Sequence, residues 1–81
     1  MSSHKRDAIL DEREKQWGNA RTTHERIAAV WSGVLGVPVR ADQVALCMVG
    51  MKLVRAEINP SDPDSLVDAR GYAAIAAEIV A

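Results

Sequence analysis

The sequence predicts an all-α protein: four helices forming a small helical bundle that is completed by oligomerisation. Three observations predict it. Glycine and proline break the chain at Gly18-Asn19, Gly36-Val37-Pro38 and Asn59-Pro60-Ser61-Asp62-Pro63, and such residues end helices or set turns. The segments between these breaks suit helices better than strands in length, and apolar/polar alternation never lasts for a full strand. The last two helices are so apolar that a single copy would leave much of that surface in water.

The first helix is predicted over 3–16, with residues 1–7 a loose N-terminal segment. Its charge run Asp11-Glu12-Arg13-Glu14-Lys15 reads as a solvated face, and only Ile9, Leu10 and Trp17 are large and apolar. The second is predicted over 23–35. Thr22-Thr23-His24-Glu25 fits a capping box, with Thr22 capping the first turn and Glu25 reaching back. Ile27, Val30, Trp31, Val34 and Leu35 follow as one apolar stripe with Trp31 as core anchor, and Gly36 stands where a C-terminal cap belongs.

The third helix is predicted over 41–57. Asp42 suits the positive end of its dipole. From Val44 to Met51 the only polar side chain is the thiol of Cys47, so this stretch reads as buried on more than one face, with Cys47, Met48 and Met51 filling the core. The fourth helix is predicted over 63–80, started by Asp62 as cap and Pro63 at the first position. It carries two stripes, Leu66, Ala69, Ala73, Ala76, Val80 and Tyr72, Ile75, Ile79. The excess apolar surface of these last two helices predicts a homodimer or higher homo-oligomer with a shared bundle.

The chain reads as one domain of 81 residues, 48% apolar and 26% charged. A domain of about this size buries only roughly 60% of its unfolded surface, which adds to the case for self-association. Ten basic residues against eleven acidic ones argue against a nucleic acid polymer as partner. One cysteine excludes an internal disulfide and the cysteine-rich zinc patterns. No apolar run approaches the ~18 residues of a membrane span, and the first residues lack the apolar stretch of a signal peptide. The expectation is a cytoplasmic protein that engages no membrane.

Chemistry concentrates on four residues. Asp64 and Asp68 stand one helical turn apart, and Asp68 shares a stripe with Tyr72. A carboxylate there must be paired, hydrogen-bonded or metal-bound. Two carboxylates at this spacing can share one Mg²⁺, or simply favour the positive end of their helix. Lys52 and Arg55 share a face near the end of the preceding helix. If the two helices are antiparallel across the short connection, all four residues meet. They would form either a phosphate-plus-metal site or an ion-pair network. Glu25 is a metal ligand or only the far half of the capping box. Trp17 could flank a binding cleft or close the first loop. His24 is isolated, without the spacing of a zinc site. A glycine-rich phosphate loop, HExxH, GxSxG and CxxC are all absent, so phosphate chemistry would rest on side chains and a divalent ion.

These residues resemble a family. Arg13-x-x-x-Trp17-Gly18, Glu25-Arg26-Ile27-Ala28 leading to Trp31, and Leu35-Gly36-Val37-Pro38-Val39 with Asp42-x-Val44-Ala45 carry the front half. Lys52-x-x-Arg55 and Asp64-Ser65-Leu66-Val67-Asp68-Ala69-x-Gly71-Tyr72-Ala73 carry the back half. The pattern is similar to small bacteriophage and actinobacterial proteins that look like a trimmed branch of the MazG-like all-α nucleoside triphosphate pyrophosphohydrolases. The resemblance implies a helical dimer or tetramer, Mg²⁺ on helix carboxylates, and hydrolysis of (d)NTPs to monophosphate and pyrophosphate. Carried onto this chain, it implies Asp64, Asp68 and Glu25 as the catalytic and metal-holding set, Lys52 and Arg55 on the phosphates, and Trp17 or Tyr72 against the base. Departures are visible: Glu25 stands alone where those enzymes pair glutamates, Ser65 replaces a glutamate three residues before Asp68, and Trp17 replaces a tyrosine. The alternatives are a non-catalytic nucleotide or signal-molecule binder and a structural or interaction module.

Overall fold

The computed structural model describes residues 19–81. Among them run three helices and no strand: α1 (Ala20–Leu35), α2 (Ala41–Ile58) and α3 (Pro63–Val80). The expectation of an all-α chain holds for the described residues, which contain the second, third and fourth of the predicted helices. The helix predicted over 3–16, together with Trp17 and Gly18, lies outside the described residues.

α1 begins earlier than its pattern suggested. Asn19 is the cap, its side-chain oxygen accepting from the Thr22 amide at 3.1 Å. That corrects the capping box: Thr22 lies within the first turn, because Asn is as good a cap as Thr and stands upstream. The helix ends on Gly36 at φ 74, whose N–H reaches the Ser32 carbonyl at 2.9 Å. Only glycine adopts that left-handed conformation freely. Ser32 then fastens the connection to α2. Its hydroxyl donates to the Ala28 carbonyl at 2.7 Å and accepts from the Val39 amide at 2.8 Å.

At the start of α2 the Arg40 amide donates to Gln43 Oε1 at 2.9 Å. At its end the Asn59 amide closes on the Arg55 carbonyl at 2.9 Å, and Asp62 N–H on the Asn59 carbonyl at 3.1 Å. Asp62 then caps α3 by accepting from the Asp64 amide at 3.0 Å, with Pro63 following. Pro63 lacks the N–H that a helix start leaves unpaired, so it fits there without loss. The short turn makes α2 and α3 an antiparallel hairpin, and α1 lies across it, mainly against α2.

The core is built from small residues. Ala45, Ile75 and Ala76 are buried together, with Ala20, Tyr72 and Ile79 packed around them, and Val44 is fully enclosed. Arg21 ties the start of α1 to the end of α3, its guanidinium donating to the Glu78 and Ile79 carbonyls at 3.1 and 3.0 Å. The Glu78 carbonyl also accepts from the Ala81 amide that caps the helix, at 3.4 Å, and a cation suits that end of the dipole.

Several predicted core positions face outward. Val30 and Val34 of the α1 stripe are 63% and 78% exposed, and Leu35 is exposed beside them. Trp31 is half-buried. α1 instead buries His24 and Ala28. Cys47 is exposed rather than in the core, as are Leu46 and Gly50, while Met48 and Met51 are half-buried. In α3, Ala69, Ile75 and Ala76 are buried but Leu66, Ala73 and Val80 are not. The reason is shared: among the described residues each helix has at most two neighbours, and its remaining sides are covered by neither. No helix among the described residues is long and apolar enough to cross a membrane.

Candidate functional site

At the α2–α3 turn the two helix ends part around an open hollow of about 290 Å³, lined by Lys52, Arg55, Ile58, Asn59, Asp62, Asp64, Ser65 and Asp68. The four residues singled out by spacing thus reach one recess. Lys52 and Arg55 come from the last turns of α2, Asp64 and Asp68 from the first turns of α3, and the antiparallel turn folds one pair onto the other.

Within the recess Lys52 Nζ meets Asp68 Oδ2 at 2.9 Å, with the lysine side chain 15% exposed and the aspartate 37%. This is a partly screened ion pair, neither a surface contact nor a sealed one. No ion pair of Arg55 or of Asp64 is found among the described residues. Both are exposed. Asp62 spends one carboxylate oxygen on its own helix. Ser65 is buried in the wall at 4% exposure. The rim therefore carries three carboxylates against two cations, an arrangement that repels a bare polyanion and attracts a cation or a cation-bound anion.

Other expected residues stand elsewhere. Glu25 lies exposed on α1 and does not line the hollow. It makes no three-carboxylate group with Asp64 and Asp68, and no group of three or more His, Cys, Asp or Glu able to hold a metal occurs among the described residues. With Asn19 as the cap, Glu25 lies one turn beyond the position from which a capping-box side chain reaches back. Tyr72 packs its ring edge-on against His24, centroids 6.0 Å apart, and does not line the recess. Trp17 lies outside the described residues.

His24 is less isolated than its sequence position suggested. It is buried at 6% exposure. Nδ1 lies 2.8 Å from the Ala20 carbonyl, so Nδ1 donates and Nε2 is left as an acceptor. Nε2 is enclosed without a hydrogen-bond partner. Among the lining residues, Asn59, Ser65 and Ile58 were missed by sequence reasoning, and Asp62 was read only as a cap. The available signal was the turn itself, since residues between two antiparallel helix ends must border whatever opens there.

A family model described as a domain of unknown function, DUF6378, matches residues 3–80. The "Gene 55 protein" of Mycobacterium phage L5 is 34% identical over 70 residues, which are 85% of this chain and 45% of that protein. The chain thus spans a little under half the length of that relative. No solved structure matches it. On the strength of a match that runs through all three helices and the whole recess, the chain belongs to the DUF6378 family.

Proposed function

We propose that the recess binds a magnesium-bound nucleotide or a similar phosphate-bearing small molecule. The observation that supports this reading is the charge pattern of the lining: Arg55 has no ion pair among the described residues and stands beside Lys52, facing carboxylates on the opposite wall. An arginine free to fork onto phosphate oxygens, with a lysine as point charge, is a common phosphate-binding pair. The surplus carboxylate favours a phosphate that arrives with a divalent ion.

The donors fit Mg²⁺ in that company. Mg²⁺ is often held by one or two carboxylates, with substrate phosphates and waters completing its shell. Asp64 and Asp68 would be the two, and Asp68 would then share its charge between the ion and Lys52. When bound, the ion would polarise a phosphoryl oxygen. Lys52 and Arg55 would orient the phosphates and offset the charge that develops on them. The MazG-like resemblance extends the proposal to hydrolysis of (d)NTPs into monophosphate and pyrophosphate, carried out in the cytoplasm, the host's where the protein is phage-borne.

The test is direct. Purified protein is mixed with each NTP and dNTP, with and without Mg²⁺, and both thermal stability and products are followed. Stabilisation that needs Mg²⁺ supports binding, and release of pyrophosphate adds turnover. Neither effect at millimolar nucleotide would sink the proposal. A second reading is favoured by the 2.9 Å Lys52–Asp68 pair: the cluster locks the hairpin register and takes no ligand.

A further inference from the structure

Of the side chains that border the recess, Ser65 alone is buried, at 4% exposure. Its hydroxyl makes no hydrogen bond to another described residue. Yet Oγ is not sealed in, because the enclosed side-chain atom without a partner among the described residues is His24 Nε2. The opening left to Oγ is the recess that Ser65 lines. A hydroxyl taken this far out of water costs free energy unless something bonds to it.

The backbone of the same residue is in a similar position. The first N–H groups of a helix have no partner within it. At the start of α3, Pro63 has no N–H to offer and Asp62 takes that of Asp64. The Ser65 N–H comes next, and no loop or cap group accepts from it. Two donors of one residue are therefore unspent at the positive end of an 18-residue helix. A cation stands close by. Asp68 shares a face of α3 with Ser65, one turn on, and holds Lys52 Nζ at 2.9 Å.

We propose that Ser65 is the seat of a phosphoryl group in the recess. One phosphoryl oxygen accepts from the Ser65 N–H and hydroxyl, while Lys52 and Arg55 on the opposite wall meet the others. This rests on the reading of the recess as a site for a magnesium-bound phosphate compound, and adds the residue that recognises the phosphate. Donors alone gather at this spot, which calls for an acceptor and suits an anion at a helix start. A phosphoryl group offers three oxygens to three donor residues on two walls, where a planar carboxylate offers two. Asp64 stands exposed at the rim, where it is open to the ion rather than to the anion.

The test titrates inorganic pyrophosphate, with Mg²⁺ present, into the full chain and into Ser65→Ala, and follows melting and amide NMR. In the wild type the melting temperature should rise, and the Ser65 amide proton should move downfield as it gains an acceptor. Without ligand, Ser65→Ala should melt no lower than the wild type, since it removes a hydroxyl that has no partner. It should bind pyrophosphate about tenfold more weakly. A serine needed only for structure would do the reverse, so a lower melting temperature without ligand, or unchanged affinity, would overturn the proposal. The same amide shift with Mg²⁺ alone would also overturn it, by making the seat a cation site. Wild type that binds a nucleotide but not pyrophosphate would remove the Ser65 seat and leave the nucleotide reading standing. Binding of neither would remove both.

Discussion

Replacing Asp68 by asparagine keeps the shape of the side chain and removes its charge. The Lys52 ammonium, 2.9 Å away on a side chain only 15% exposed, then loses the anion it faces. An exposed pair contributes at most about 1 kcal/mol, while removing one member of a sealed pair costs about 3–5 kcal/mol. The recess stands between these limits, since Asp68 is 37% exposed and water can reach the ammonium through the hollow. The expected loss is therefore about 1–2 kcal/mol. In a domain this small that lowers the melting temperature by roughly 4–8 °C for each kcal/mol. Thermal melts of Asp68→Asn, Lys52→Met and the double variant, at one protein concentration, would give the pair's coupling as a cycle. Added salt should shrink the difference between Asp68→Asn and the wild type, because the pair is partly screened. An unchanged melting point would refute the view that the pair helps hold the hairpin. A loss above about 4 kcal/mol would refute the view that the recess is open, and with it the proposed ligand site.

Three further outcomes follow from the fold. Arg21→Ala should cost about 1–2 kcal/mol through the loss of two charge-assisted hydrogen bonds to the end of α3. Amide exchange should speed up in the last turn of α3, and unchanged exchange there would count against the clamp. Gly36→Ala should cost about 1 kcal/mol in urea unfolding, because φ 74 strains any side chain, and a neutral result would mean that the turn relaxes. Asp42 is held below the ordinary carboxylate range, chiefly by the hydrogen bond from the Arg40 guanidinium and also by its charge, against the opposing effect of burial. A depressed carboxyl adds stability that is present above its ordinary range and lost as pH falls through its folded value. Arg40→Ala should therefore raise the Asp42 titration seen by carbon-13 NMR. It should also reduce that acid-side loss of stability, leaving the part due to the backbone amides of Asp42 and Gln43, and an unmoved titration would contradict the assignment.

How far the fold could be read in advance depended on whether the deciding partner was near in sequence. Asp62-Pro63 and Gly36 are local signals, and both mark helix ends where expected. Asn19 was overlooked because the Thr22-to-Glu25 spacing fits a competing cap, and choosing between two good caps needs the backbone itself. The meeting of Lys52, Arg55, Asp64 and Asp68 followed from face spacing and a short turn, since such a turn leaves two helices little choice but to run antiparallel. Periodicity places residues on faces and says little about turns, so Asn59 and Ser65 escaped notice as lining. Cys47, Val30 and Val34 were assigned to the core because they are apolar. A sequence shows that a side chain avoids water, and only the arrangement of neighbours shows which of them shields it.

Every residue bordering the recess falls between Lys52 and Asp68, within one hairpin. Contacts so close along the chain need little loop closure, so this corner can form early in folding and without help from distant segments. One continuous stretch of chain thus specifies the whole lining, and a substitution outside residues 52–68 changes none of the side chains that border the recess.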